Sequence, residues 1–251
     1  MGYKKKEIYI PIIKKFGLSY LLYGFFIFLS CQFLSCNDSV SNEFITEGEI
    51  DYTIEYLDSK QENPLIGFLP QEMTTSFRYN ASRTAIEGLF GTFKLIYIYN
   101  YPKEKNYTLL QILDKKYVYK PDFEMGEMAF GYQQMKNVKI TYSDLEKSIA
   151  GYKCKHATAI FEDGLTDTIQ IFYTNEIGLM HANYNNPFKE IEGVLMEFSV
   201  NLFDINMKFK AIKVHKKKIN DNLFDLPEGF VKISEPQMKR IIDDYNKVPG
   251  Q

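Results

Sequence analysis

Cys154 and His156 are the residues of this sequence whose types and spacing best suit chemistry. They lie two apart in a stretch, 152–161, that alternates as a strand, so both side chains point to the same face. A thiol beside an imidazole suits a nucleophile with its base, or two ligands of a metal. Two ligands are too few for a structural zinc site, and His181 and His215 show no pairing pattern with them. We therefore expect Cys154 to be a small buried hydrophobe, with a Cys/His enzyme as the less favoured alternative.

Other catalytic and metal-binding patterns are missing from the sequence. It contains no Gly-x-Ser-x-Gly, His-Glu-x-x-His, Cys-x-x-Cys or glycine-rich phosphate loop, so we expect no catalysis, no cofactor and no metal. The formal net charge is -2, and setting aside the five lysines and one glutamate of residues 1–35 leaves 25 basic and 31 acidic residues. This acidic balance gives no reason to expect nucleic-acid binding.

Cys36 is a candidate for a different chemistry, lipidation. Residues 3–15 are basic, and residues 16–34 form an apolar stretch without charge. Phe33-Leu34-Ser35-Cys36 then resembles a bacterial lipobox, in which the cysteine after a small residue is acylated and becomes the new N-terminus. We interpret residues 1–35 as a lipoprotein signal peptide and residues 36–44 as a tether.

Two alternatives to this anchor remain open. Cys31, in Phe28-Leu29-Ser30-Cys31, is a second candidate for acylation, although apolar residues rather than polar ones follow it. An uncleaved signal anchor is the other, because nineteen apolar residues are long enough to span a bilayer with the basic flank inside. Either reading places residues 37–251 outside the cytoplasm, held on a membrane of the cell envelope. With Cys31 removed and Cys36 acylated, Cys154 has no partner for an internal disulfide.

The elements that position these residues are mainly strands. Aromatic residues make up 16% of the chain, and Phe and Tyr favour a pleated, half-buried surface. In residues 49–57, Ile50, Tyr52, Ile54 and Tyr56 alternate with polar residues, which predicts a strand with one wet face in an antiparallel sheet. Similar patterns predict further strands at 73–79, 83–90, 93–100, 107–113, 116–120, 138–142, 152–161, 167–174, 194–202 and 206–216.

Four segments depart from this alternation. Asn63-Pro64 has the residues that start a short helix, and residues 121–137 form a long loop. Residues 144–149 are expected to form a helical turn ending at Gly151. Ser234 caps a C-terminal helix, on which Met238, Ile241, Ile242 and Tyr245 recur at helical spacing.

Three short stretches carry a resemblance to a known group of proteins. They are Ile149-Ala150-Gly151-Tyr152-Lys153-Cys154-Lys155-His156-Ala157, Tyr173-Thr174-Asn175-Glu176-Ile177 and Leu223-Phe224-Asp225-Leu226-Pro227-Glu228-Gly229-Phe230. The chain is similar in these to exported Bacteroidetes lipoproteins of unknown function, and in layout to the outer-membrane lipoprotein-carrier superfamily, the LolA/LolB type. The expected fold is mainly β (α+β): residues 45–251 form one domain, a single curled antiparallel sheet or half-open barrel with short helices.

The resemblance implies an apolar concave face that holds acyl chains or another greasy ligand. Candidate lining residues are Leu65 and Phe68, in an apolar segment suited to an inner helix or lid. Met125, Met128 and Phe130, in a Met-rich loop, are candidates for the mouth, because thioether side chains adapt to varied apolar shapes. Ordinary core packing explains all five residues as well, and it is the favoured alternative.

We therefore expect a membrane-anchored, non-catalytic lipoprotein that binds a lipid, a lipoprotein acyl chain or another apolar ligand in its curled sheet. The alternative is a structural or protein-interaction module of the cell envelope, which binds a partner through a sheet edge or a tyrosine-rich face. A large exposed apolar patch outside the concave face would favour that alternative.

Overall fold

A computed structural model of the chain describes residue 2 and residues 44–57, 69–88, 91–123, 126–161 and 168–246. Contacts between Cα atoms divide the chain into a unit of residues 1–41 and a unit of residues 42–251. Apart from Gly2, all the described residues belong to the second unit. The signal peptide, the tether as far as residue 43 and the segment 58–68 lie outside the described residues.

The described residues form one mostly antiparallel sheet of twelve strands, with one α-helix. The strands are β1 (Glu47–Tyr56), β2 (Glu72–Arg78), β3 (Ala81–Gly88), β4 (Phe93–Asn100), β5 (Lys105–Ile112), β6 (Lys115–Tyr119), β7 (Val138–Ile149), β8 (Tyr152–Phe161), β9 (Ile169–Thr174), β10 (Val194–Leu202), β11 (Ile205–Lys216) and β12 (Val231–Lys232). Short 3-10 turns cover Tyr101–Lys103 and Asp221–Phe224, and helix α1 covers Glu235–Asn246.

The strand order is β12-β6-β5-β4-β3-β2-β1-β11-β10-β9-β8-β7, so β1 lies in the interior of the sheet, next to β2 and β11. The two-residue strand β12 pairs with β6 in parallel, and every other named pair is antiparallel. The sheet is curled and does not close, which confirms the predicted fold class. The expected alternation of β1 is also confirmed, since Ile50, Tyr52 and Ile54 are buried while Thr53 and Glu55 are exposed.

Both faces of the sheet are covered at strands β3 to β6. The main core lies on the inner face, where Leu95 and Tyr97 of β4 join residues of β1 and of β8 to β11. Ile96 and Ile98 alternate with them and pack on the outer face, against Ile219 and Phe224 of the segment that follows β11. Because this segment shields both its own apolar residues and those of the sheet, its sequence Leu223-Phe224-Asp225-Leu226-Pro227 serves packing of the outer face.

The helical turn expected at 144–149 is wrong. Strand β7 continues to Ile149, with a bulge between Ser143 and Glu146 in its pairing with β8. The two strands turn at Ala150 and Gly151, whose φ angles of 50° and 86° are both positive, as a tight hairpin turn requires. Gly151 therefore serves a hairpin and not a helix C-cap, and the polar run before it is an exposed edge strand.

Helix α1 confirms the C-terminal prediction. Ser234 precedes it, and the Gln237 side chain accepts hydrogen bonds from the backbone N–H and the hydroxyl of Ser234, at 2.8 and 2.9 Å. Met238 and Ile242 are buried against Leu110 and Phe130 on the inner face. A twelve-residue helix is marginal alone in water, so its stability comes from this packing.

Candidate functional site

An apolar crevice lies between α1 and the inner face of the sheet. Every lining residue is apolar or a tyrosine: Tyr56, Leu69, Pro70, Ile86, Phe93, Leu95, Leu202, Phe203, Ile205, Met207, Ile242 and Tyr245. Most of them stand where a strand begins or ends, and Ile242 and Tyr245, three apart on α1, form its roof. No ionisable carboxylate, lysine, arginine or histidine lines the crevice, so it suits an uncharged apolar group.

Ring stacking and one hydrogen bond close this crevice. The rings of Tyr245 and Phe93 stack with centroids 5.5 Å apart. The hydroxyl of Tyr56 donates a hydrogen bond of 2.5 Å to the carbonyl oxygen of Pro70, and burial raises the pKa of that hydroxyl well above its ordinary value. The free volume is about 50 Å³, which is room for a few water-sized groups and not for an acyl chain.

A second internal cavity lies under β1 and β10 and has a more polar lining. Its free volume is about 70 Å³, and its walls include Tyr52, Thr75, Asn183 and Phe198. The hydroxyl of Tyr52 donates to the carbonyl oxygen of Leu195 at 2.9 Å, and burial of this hydroxyl raises its pKa. The cavity suits a few ordered waters, because polar groups line it and its size excludes anything larger than a small molecule.

The structure separates the predicted lining residues from one another. Phe130 is buried against Met238 and Ile242, and its ring lies 5.4 Å from that of Phe203, which lines the crevice. Met128 is half-buried and lines a different groove of about 500 Å³, whose walls include charged residues such as Glu127, Lys136, Lys189, Glu190 and Glu235. Cys36, Leu65, Phe68 and Met125 lie outside the described residues.

Helix α1 contributes the site residues that sequence reasoning missed. The spacing of Met238, Ile242 and Tyr245 predicted an apolar helix face but not the surface that this face covers. Phe203, in the turn between β10 and β11, and Ile205, the first residue of β11, also line the crevice and were missed. Nothing in the sequence places this turn beside a helix thirty residues later, and only the fold brings them together.

Cys154 and His156 are both buried, but they do not form a nucleophile and base. Burial raises the pKa of the Cys154 thiol to about 11, and the thiol donates to the carbonyl oxygen of Tyr152 at 3.5 Å. The two ring nitrogens of His156 contact the Ser143 hydroxyl and the Gln170 side-chain oxygen, each at 2.7 Å. Since both nitrogens have other partners, no base is in place to activate the thiol.

Glu197 of β10 is the most heavily paired carboxylate near these strands. Its side chain is 10% exposed and lies 2.9, 3.1 and 4.0 Å from the ammonium groups of Lys147, Lys208 and Lys210. Burial alone would raise the pKa of this carboxyl, but hydrogen bonds and charge from Lys147 and Lys208 outweigh it, and the net pKa is lowered. The cluster ties β7, β10 and β11 together, which is a structural role.

Among the described residues, no three His, Cys, Asp or Glu side chains are grouped so that they would hold a metal ion. Within the same part of the chain, no helix combines the length and the apolar character needed to cross a membrane.

Comparisons with known proteins show the fold and no family. No family model matches the chain, and no curated protein does. Two solved structures of PNGF-II, 13% identical in sequence, cover 78% and 80% of this chain with TM-scores of 0.49 and 0.50. The chain spans about a third of the PNGF-II chain, since 33% of it is covered. At this identity the likeness concerns the curled β-fold alone.

Two further structures match less well. MucB, 7% identical, covers 74% of this chain and 59% of its own with a TM-score of 0.30. LprF from Mycobacterium bovis, 9% identical, covers 77% of this chain and 94% of its own with a TM-score of 0.26.

Proposed function

We propose that this chain is a membrane-tethered, non-catalytic lipoprotein that binds a lipid acyl chain or a similar apolar ligand beneath α1. The lipobox-like sequence at Cys36 supports the tether. The wholly apolar lining of the crevice supports the ligand class, because a site without charged groups has nothing to pair with a charged ligand.

The observation that carries the proposal is that the roof of the crevice is one short helix. The closed crevice, at about 50 Å³, is too small for an acyl chain, so α1 moves aside when the ligand enters. Four apolar side chains hold the helix on the sheet: Met238, Ile241, Ile242 and Tyr245. Burying such a side chain contributes roughly 1.5–3 kcal/mol, and an acyl chain that takes its place on the sheet buries the same apolar surface. The apolar area that the sheet loses when α1 moves away is therefore nearly equal to the area that the bound acyl chain covers.

Native mass spectrometry of the full-length protein, released from detergent micelles, tests the ligand. We expect a non-covalent lipid adduct on the wild-type chain. Ile242→Glu places a charge in the crevice and removes the adduct, whereas Arg240→Glu, on the exposed side of the same helix, retains it. Absence of any adduct on the wild-type chain, or equal adducts on both variants, contradicts the proposal.

A second candidate function is a protein-interaction module, and strand β7 favours it. β7 is twelve residues long and ends the sheet order of the described residues, with Tyr142 and Leu145 exposed. An edge strand is able to pair with an extended segment of a partner. Leu145→Asp would place a charge on this exposed edge, so loss of a co-purifying envelope protein from that variant, with the lipid adduct unchanged, would select this function.

A further inference from the structure

A set of exposed aromatic and apolar residues lies at the end of the sheet where β1 begins. Phe44, Tyr79, Tyr101 and Met180 are 61, 50, 43 and 44% exposed. With His181 they form what we call the tether-side rim. Single exposed apolar residues are ordinary on a protein surface, but a contiguous group is a mark of an interaction surface.

The segment 178–181 joins these five residues into one surface. The ring of Phe44 lies over Gly178, where an added Cβ would come within 2.7 Å of it. Two residues on, the backbone N–H of Met180 donates to the carbonyl oxygen of Tyr79 at 2.7 Å. The rings of His181 and Tyr101 stack with centroids 4.3 Å apart.

Backbone strain at two positions holds rings at this rim. Tyr79 and His181 have φ angles of 45° and 55°, in the left-handed region that costs most residues about 1 kcal/mol or more. Tyr79 lies in the tight turn between β2 and β3, where glycine or asparagine would relieve that strain. The left-handed backbone at these two turns fixes where the rings of Tyr79 and His181 stand at the rim.

The sequence connects this rim to the anchor directly. Seven residues, 37–43, separate Cys36 from Phe44. The eight peptide units from Cys36 to Phe44 span at most about 29 Å when fully extended. A lipid anchor at Cys36 therefore keeps the rim within reach of the bilayer surface. Tyrosine and phenylalanine suit the interface between head groups and acyl chains, because their rings are apolar and the tyrosine hydroxyl stays hydrated.

We propose that the tether-side rim rests in the interfacial layer of the membrane that carries the lipid anchor. This inference rests on the proposed function, since it takes Cys36 as the anchor. Placing the rim at the membrane also determines which way the apolar crevice faces. The crevice includes Tyr56, the last residue of β1, and this strand of ten residues is roughly 30 Å long. The crevice then opens away from the anchoring bilayer, towards a donor or acceptor on the far side.

Tryptophan fluorescence tests the rim with no background, because the chain contains no tryptophan. Full-length, acylated Tyr101→Trp protein is reconstituted into phosphatidylcholine vesicles that carry a doxyl group near the head of the acyl chain. We expect it to lose about half of its emission relative to unlabelled vesicles, since an interfacial ring meets a quencher at that depth. The matched control is Ile160→Trp, at an exposed position near the opposite ends of the strands, which we expect to keep its emission.

Flotation with the vesicles separates the two proposals. Protein that fails to float overturns the tether of the proposed function. Protein that floats but shows equal emission at position 101 with and without the doxyl group overturns the rim. Quenching that requires anionic lipid also overturns it, since it would assign the contact to lysines and not to the aromatic rings. Met180→Ser added to Tyr101→Trp weakens the quenching if the rim inserts as one surface.

Discussion

Tyr245 of α1 stacks on Phe93, the first residue of β4, with ring planes 22° apart, and this contact joins the last helix to the start of that strand. It is the part of the helix contact that lies directly over the apolar crevice. Whatever opens the crevice has to separate these two rings, so the pair controls access to it.

Tyr245→Ala is expected to loosen α1 without unfolding the sheet. Aromatic pairs contribute about 0.5–1.5 kcal/mol beyond the area that they bury, so the helix opens more often when the stack is lost. Hydrogen exchange of residues 235–246 should become faster, while exchange in β4 and β5 stays unchanged. Arg240→Ala, exposed on the same helix, is the control; equal exchange in the two variants would show that the stack does not hold the helix.

Phe130 and Met128, two residues apart in one loop, should differ sharply in their effect on stability. Phe130 is buried beside Met238, so Phe130→Ala should lower the free energy of unfolding by about 3–5 kcal/mol. Met128 is half-buried in a groove with charged walls, and Met128→Ala should change it by less than about 1 kcal/mol. Urea denaturation of the two variants checks this, and similar losses would contradict the assignment.

Glu197 should make stability depend on pH. Its pKa in the folded protein is lowered, so its contribution is fully present above the unfolded value of about 4.3 and is lost as pH falls through the folded value. Glu197→Gln should lower the free energy of unfolding at pH 7 by about 1–3 kcal/mol, because hydrogen bonds to charged groups are lost.

The pH series supplies the internal check on Glu197. The difference between wild type and Glu197→Gln should shrink as the pH is lowered below about 4.3, since the wild-type carboxyl then becomes neutral too. Glu228→Gln, at an exposed position outside the core, is the control and should leave stability at pH 7 unchanged. A constant difference between wild type and Glu197→Gln down to acid pH would mean that charge plays no part.

Cys154 should be inert in the folded protein. Its thiol is fully buried and burial raises the pKa to about 11, so little thiolate is present at pH 8. Iodoacetamide followed by peptide mapping should find residue 154 unmodified in native protein and modified in urea. Rapid native labelling would reopen the Cys/His enzyme that the geometry of His156 argues against.

Acylation at Cys36 is open to a direct test. Metabolic labelling with palmitate should mark the wild-type chain and the Cys31→Ser variant, but not Cys36→Ser, because the lipobox-like sequence selects the second cysteine. The Cys36→Ser chain should also retain residues 1–35. Labelling that follows Cys31 would move the anchor by five residues, and labelling of neither would favour an uncleaved signal anchor.

Most strand positions were predictable from the sequence because a strand with one buried face carries its own signal. β4, β8 and β10 have the bounds that alternation predicts, 93–100, 152–161 and 194–202. Side chains on successive strand residues point to opposite faces, so a strand with one buried face has an apolar residue at every second position. The prediction failed at 144–149, where an exposed edge strand with a bulge has no face to bury and hence no such period.

The candidate site was not predictable in the same way. Ile242 and Tyr245 showed an apolar helix face, but that pattern is the same whatever surface the helix covers. The Met-rich loop was predicted to line the ligand site. In the structure, Phe130 lies in the core beneath α1, and Met128 lines another groove. An apolar side chain is expected to be buried, but only the fold decides which residues it packs against.

The sequence by itself determined the mainly β fold class, and it carries the lipobox-like signal from which we infer the anchor. Both are local properties: the fold class follows from the alternation of neighbouring residues, and the inferred anchor follows from a short motif. Only the tertiary structure decided that α1 and not a loop covers the apolar crevice, and that the crevice and the aromatic rim lie at opposite ends of the strands. These depend on contacts between residues such as Phe93 and Tyr245, which are far apart in the chain, and no local pattern encodes which distant surfaces meet.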